Sequence, residues 1–243
     1  MLPMMLLAHL LGDYPLQTNA IARWKARSIL GVLAHGGIVT LTHVVLAVAV
    51  MPSWWPYALL IGGIHTVVDV IRAHFLRTQD PMWSMLSYLG DQLIHVVVIV
   101  AVVAWSGASF VFEPRLVMGV VFDWKRVTFF AGYLVLFQPA WVLLRFFVRG
   151  VWGAQAAPPL GCGEGDEKYA PMVERVLIAS LVLFGQLPLV PLVLLPRRLQ
   201  AIRAQDNGVL LWVRPTAHWA ETILGVALAM AVGLVLRIVV LGA

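Results

Sequence analysis

The sequence predicts an all-α fold, a polytopic bundle of membrane helices with about six to seven transmembrane segments. Three observations predict it. Of 243 residues, 61% are hydrophobic and 12% are charged, against about 25% charged in ordinary soluble domains. Mean hydropathy is +0.88, and several apolar runs approach or exceed the roughly 20 residues that cross a bilayer as a helix. Ten-residue segments of alternating polarity are lacking, which removes a transmembrane barrel.

Taken in order, a first segment runs from Leu2 to about Gln17, and Pro15 breaks or kinks it. Met1–Leu11 has neither a basic leader region nor a small-residue cleavage site, so it reads as a helix rather than a signal peptide. Arg23, Trp24, Lys25 and Arg27 form a basic loop before segment two, Ile29 to Met51. Pro52, Ser53, Trp54, Trp55 and Pro56 make a turn with interfacial aromatics. Segment three runs from Tyr57 to about Phe75, closed by Arg72, His74 and Arg77, and segment four from Met82 to Trp105 after the Asp80-Pro81 turn.

Residues 106–126 carry Glu113, Pro114, Arg115, Asp123, Lys125 and Arg126 and read as interfacial. Segment five spans Val127 to Val148, segment six Met172 to Pro196 with Pro188 and Pro191 inside it, and segment seven Thr216 to Val240. The chain therefore divides into an amino-terminal helical bundle, 1–105, and a set of carboxy-terminal membrane helices, 106–243, with a Gly-, Pro- and acid-rich loop at 150–171. No clean internal repeat is evident.

Net charge is +5. The Lys and Arg residues flank apolar segments, where they orient helices and meet anionic lipid rather than nucleic acid. The basic loops around Arg23 and Arg72 fall on one side of the membrane, and the Pro52–Pro56 turn between them has no Lys or Arg. The positive-inside rule puts those loops in the cytoplasm, with the chain a multi-pass protein of the cell inner membrane. Continued alternation puts Arg197, Arg198 and Arg203 outside, against the rule, so the topology of the second half stays open. The single Cys162 excludes an intrachain disulfide and any cysteine-based metal cluster.

Four Asp residues precede position 100, and three have a His four positions away: His9/Asp13, His65/Asp69 and Asp91/His95. Residues four apart share a helix face. Ionisable groups at membrane depth are costly and face a bundle interior or a wet cavity. Imidazole and carboxylate together suit Zn, Fe or Mn. The predicted metal ligands are His9, Asp13, His35, His65, Asp69, Asp91 and His95, enough donors for one divalent ion or for two sharing bridging carboxylates. His–Asp pairs also satisfy each other or bind a neighbouring helix as structural glue. His43 shares a face with His35; His74 reads as interfacial. Gln17 and Gln92 are polar neighbours, Gln92 turned about 100° from Asp91 toward another partner. Glu174, His218 and Glu221 are the polar candidates of the second half. The reversed order in segment four hints at inverted symmetry.

These motifs resemble domain of unknown function 3307, a bacterial membrane family. The resemblance rests on His9-Leu-Leu-Gly-Asp13-Tyr-Pro-Leu-Gln17, the His35 region, Ile64-His65-x₃-Asp69 and Asp91-Gln92-x₂-His95. More loosely, it extends to Glu174-Arg175 and His218-Trp-Ala-Glu221, and so to nearly the whole chain. The resemblance implies fold and membrane location and leaves activity unassigned.

Gly-x-Ser-x-Gly, His-Glu-x-x-His and Gly-rich phosphate loops are all missing, so no catalytic residue can be named. Three functions fit. A bound metal that acidifies water would make the chain a hydrolase of lipid or of another membrane-embedded substrate. A non-catalytic subunit would pack against other membrane proteins and could ligate a tetrapyrrole through His35 or His43. A transporter would pass protons or metal ions along the His and Asp groups.

Overall fold

The computed structural model describes residues 1–75, 79–109, 115–117, 120–157, 169–196 and 215–242. Cys162 and the rest of 158–168 in the 150–171 loop, Arg77, Glu113, Pro114, Arg197, Arg198 and Arg203 lie outside them, as does the His218 side chain. The chain forms two compact units, Met1–Gln79 with Leu86–Ala131 and Asp80–Met85 with Gly132–Ala243.

In the first unit α1 (Leu2–Asp13) stops ahead of Pro15, as the steric bar on a helix running into proline requires. A short surface helix, α2 (Asn19–Lys25), follows; the Thr18 hydroxyl accepts from the Ile21 N–H at its start. Ser28 caps α3 (Ile29–Val50) in the same way. A 3₁₀ turn, Pro52–Trp54, reverses the chain into α4 (Trp55–Phe75), and α5 (Pro81–Trp105) runs back.

Contacts at the far end fix these directions. The Trp54 indole donates to Ser106 Oγ, and the Tyr57 ring meets Trp105 edge-on. The Met1 amino group donates to the Ser109 carbonyl. The start of α1, the start of α4 and the end of α5 therefore share one end. Helices α1 and α4 run one way, α3 and α5 the other. That end holds the apolar core, with Met1, Met4, Met5, Trp54, Ile99 and Val103 buried together. The opposite end carries α2 and the basic residues.

Four described helices are long and apolar enough to cross a membrane: Ile29–Val50, Pro52–His74, Pro81–Trp105 and Trp219–Leu241. Leu41 and Leu93 are 63% and 64% exposed on them, as lipid-facing residues are. A bent pair, α6 (Trp124–Leu136) and α7 (Gln138–Trp152), makes a fifth if counted as one span. The all-α expectation holds, with a small hairpin added in the 106–126 region, β1 (Arg115–Val117) against β2 (Val120–Phe122). The count of six to seven spans is not reached among the described residues. At 1.5 Å per residue, the 12-residue α1 is about 18 Å long, against a hydrocarbon core of about 30 Å. Segment six splits into α8 (Tyr169–Leu183) and a short α9 (Leu187–Pro196). Gly185 sits at φ 73°, and the Gln186 and Gly185 N–H groups cap the Leu181 and Val182 carbonyls, a Schellman stop that Pro188 then makes final.

In the second unit α10 (Pro215–Leu236) packs on α8 where a Cβ on Gly233 would meet the Ala179 carbonyl oxygen at 2.6 Å. Buried Arg175 of α8 donates from Nε to the Leu136 carbonyl at 2.9 Å and from Nη2 to the Phe137 carbonyl. These carbonyls lie at the break between α6 and α7, where Pro139 has no N–H to continue the helical ladder; the Phe137 carbonyl also accepts from the Trp141 N–H. Arg175→Met is expected to unfold that break first. Leaving a buried carbonyl unsatisfied costs roughly 1–3 kcal/mol, read as a lowered thermal transition in detergent, with Arg175→Lys recovering part of it.

Candidate metal centre

The reversed order in α5 follows from helix direction. Because α5 runs against α1 and α4, Asp91-x₃-His95 read backwards places its carboxylate at the same level as Asp13 and Asp69. All three aspartates lie toward the basic end, and all three paired histidines lie one turn deeper. Asp69 stands six residues from the end of α4 and His35 six from the start of α3, each about 9 Å in along the axis.

Helices α3 and α4 meet through a five-residue repeat that sequence reasoning missed: Gly36-Gly37-Ile38-Val39-Thr40 and Gly62-Gly63-Ile64-His65-Thr66. A Cβ on Gly36 would strike Thr66 and one on Gly62 would strike Thr40. The antiparallel pair thus interlocks, each threonine seated over the other helix's glycine. Each hydroxyl bonds back to the glycine carbonyl of its own helix, Thr40 to Gly36 and Thr66 to Gly62. Small residues allow such close approach within membranes. The seam sets the His35 and His65 rings 5.6 Å apart. Helix α1 closes on the pair through Gly12, whose added Cβ would lie 3.1 Å from Val39 Cα. His9 and Asp13 flank that contact.

The result is one buried cluster. Nε2 of His35 lies 3.2 Å from Asp13 and 3.4 Å from Asp69; Nε2 of His65 lies 3.3 Å from the same two carboxylates. His9 is 3.7 Å from Asp13, and His95 is 3.9 Å from Asp91. The His65 and His95 rings stack at 4.0 Å, with His9 5.1 Å from His95. Donor atoms of His9, Asp13, His65 and His95 all lie within 4.8 Å of one another, as do those of His35, His65 and Asp69, and those of Asp69, Asp91 and His95. His65, His95 and Asp69 each belong to two of these sets.

Both ring nitrogens of His9, His65 and His95, with Nδ1 of His35 and Oδ1 of Asp91, are buried without a hydrogen-bond partner. Carboxylates stand 3.3 Å from His65 Nε2 without hydrogen-bonding geometry, and at 3.7 Å and 3.9 Å they are out of hydrogen-bond reach of His9 and His95. Buried polar atoms are normally satisfied, and imidazole lone pairs that converge without bonding one another are suited to a shared cation.

The seven residues predicted as ligands are the seven brought together. His43 adjoins them, its ring 6.4 Å from that of His9, and its Nδ1 donates to the Val39 carbonyl. His74 is exposed and Gln17 half-buried. Gln92 lies closer to the pairs than expected, donating to Asp13 and to Asp91. Sequence reasoning missed its acceptor role for Tyr14, whose hydroxyl also meets that of Tyr88 at 2.7 Å. Burial, with Tyr88 alongside, pushes the Tyr14 phenol far above its ordinary range, so it is a neutral hydroxyl.

Two cations were also missed. Lys25 Nζ lies 2.6 Å from Asp69 and Arg72 Nη1 3.3 Å from Asp91. In the sequence both read only as topology signals. In the second unit Glu221 is buried with Oε2 unpartnered beside Glu174 and Arg175.

Residues 1–117 match a family model described as protein of unknown function (DUF3307). The match contains the whole cluster. It ends before Glu174-Arg175 and His218–Glu221, so it does not carry the looser likeness of the second half. No curated protein and no solved structure matches the chain.

Proposed function

We propose that this chain is a metal-binding integral protein of the cell inner membrane, a hydrolase that acts on a lipid or other membrane-embedded substrate. The observation that carries the reading is the convergence of His9, Asp13, His65 and His95, four buried donors within 4.8 Å of one another. Three imidazoles and a carboxylate suit Zn, Fe or Mn. Two adjoining donor sets overlap it, one through His65 and one through His95, and share Asp69 with each other, an arrangement with room for a second ion bridged by a carboxylate. When bound, such an ion supplies a Lewis acid that lowers the pKa of water.

The chain's own groups do the rest. Gln92 holds Asp13 and Asp91 in place, as groups behind a ligand do. Tyr14 and Tyr88 supply neutral hydroxyls at the basic end. The greasy body of α1 and α3–α5 shields the centre from lipid and from bulk water. The basic residues at the site end favour a cytoplasmic-facing centre by the positive-inside rule. His35 and His43 are fully buried against other imidazoles, which favours a compact ion over a flat tetrapyrrole.

The test is metal analysis of protein purified in detergent without chelator. About one divalent ion per chain, or two, is expected, and dipicolinate treatment is expected to lower the thermal transition, because an ion that binds only the folded state stabilises it. Protein that melts unchanged and carries only traces of metal would sink the proposal.

A further inference from the structure

The rim of the cluster points to its substrate class. We infer that Lys25 and Arg72 receive a phosphate group, and that the substrate is a phosphate-bearing amphiphile. This rests on the metal-site reading above.

The first argument is charge. Asp13, Asp69 and Asp91 are buried, and Lys25 and Arg72 are the cations paired with them. Three negative charges against two positive leave one negative. One divalent ion turns that into one positive charge, and two ions into three. A net positive centre in a low-dielectric interior favours an anion strongly.

The second argument is geometry. The Lys25 and Arg72 side chains are 20% and 27% exposed, while their aspartates are 2% and 3% exposed. The cations therefore form the outer layer and the carboxylates the inner one. Donor atoms of Asp69 and Asp91 lie within 4.8 Å of each other, so the two cations stand beside one pair of neighbouring carboxylates. Neither is used up by its aspartate. An ammonium has three donors, and a guanidinium has five in a fork that matches phosphate.

The third argument is that both cations are placed. The α2 backbone rests on Gly31, where a Cβ would lie 2.5 Å from the Lys25 nitrogen. Arg72 lies over the Tyr88 ring at 5.6 Å. Beside Lys25, Trp24 is exposed, as are Leu16 and Leu30. Exposed aromatic and aliphatic side chains at the end of the bundle that carries the cations suit a headgroup whose tail stays in the bilayer.

The experiment uses the full chain in detergent, loaded with zinc, and measures binding of dioctanoyl phosphatidic acid, dioctanoyl glycerol and inorganic phosphate, with metal content determined on the same samples. Phosphatidic acid is expected to bind, and the diglyceride without phosphate to bind at least tenfold more weakly. Lys25→Gln and Arg72→Gln are each expected to weaken phosphatidic acid about tenfold, the scale of one charge-assisted hydrogen bond, with zinc retained. Lys25→Arg and Arg72→Lys are expected to recover part of it and show that folding is intact. Inorganic phosphate binding as tightly as the lipid supports the phosphate site with a soluble source; lipid binding the tighter of the two supports a headgroup. Zinc retained with no preference for phosphate overturns this inference alone. Wild-type protein that holds no zinc overturns it together with the metal reading.

Discussion

His65→Ala is expected to strip the chain of its divalent ion while His43→Ala leaves it bound. His65 is the only histidine that belongs both to the set with His9, Asp13 and His95 and to the set with His35 and Asp69. Losing it breaks both. His43 is just as deeply buried, yet belongs to neither set, and its Nδ1 is engaged by its own helix. The pair separates loss of a ligand from loss of a buried imidazole. Gln92→Ala belongs between them: it removes the amide that holds Asp13 and Asp91, and loss of such a supporting group costs about 10–100-fold in affinity. The loss in His65→Ala is expected to exceed that range. The measurement is ion per chain after equilibrium dialysis against graded chelator, on protein that elutes as wild type. Equal retention by His65→Ala and wild type would mean that the cluster does not ligate through α4. Equal loss by His65→Ala and His43→Ala would assign the effect to packing.

The site was legible because it is written in one-turn spacings. His9/Asp13, His65/Asp69 and Asp91/His95 each announce a helix face, and a greasy chain has few other uses for three such faces. His35 was reachable as a lone imidazole in mid-span. The cations were not, because Lys25 and Arg72 sit at helix ends, where a basic residue has an ordinary reading as a topology signal. Their aspartate partners lie 44 and 19 residues away, with no local spacing to mark the pairing. The glycine repeat was overlooked because its meaning is a close approach between two helices, which neither strand of the repeat shows alone. In the fold, the spans from Ile29 to Trp105 followed from length and hydropathy. Segment five is bent and segment six is split, because an apolar run does not reveal whether its helix is continuous. Pro139 and the Gly185–Pro188 pair were the available signals, and they outweigh hydropathy because they remove backbone donors or favour a left-handed turn.

That seam between α3 and α4 gives the second large effect. Gly36→Ala is expected to destabilise the fold and to loosen the metal site, whereas Gly37→Ala, one residue on, is expected to be neutral or mildly stabilising. A Cβ on Gly36 would press on Thr66, 2.7 Å from its Cγ2 and 2.9 Å from its Cβ, and both arms of this β-branched residue are in the way, so rotation cannot clear it. A Cβ on Gly37 meets nothing within 4 Å, and alanine there gains about 0.5–1 kcal/mol in helix preference. The same contrast holds on α4, where Gly62 is opposed by Thr40 Cα at 2.6 Å and Gly63 by open space. Overpacking of this kind costs about 1–3 kcal/mol per site. The helices would part at the level of His35 and His65, so metal affinity is expected to fall along with the thermal transition. Thr66→Ala paired with Gly36→Ala is expected to recover much of the loss, a coupling that a double-mutant cycle measures directly. Strict additivity of the two substitutions, or equal damage from Gly36→Ala and Gly37→Ala, would show that the interlocked threonines and glycines are not what holds the two histidine-bearing helices together.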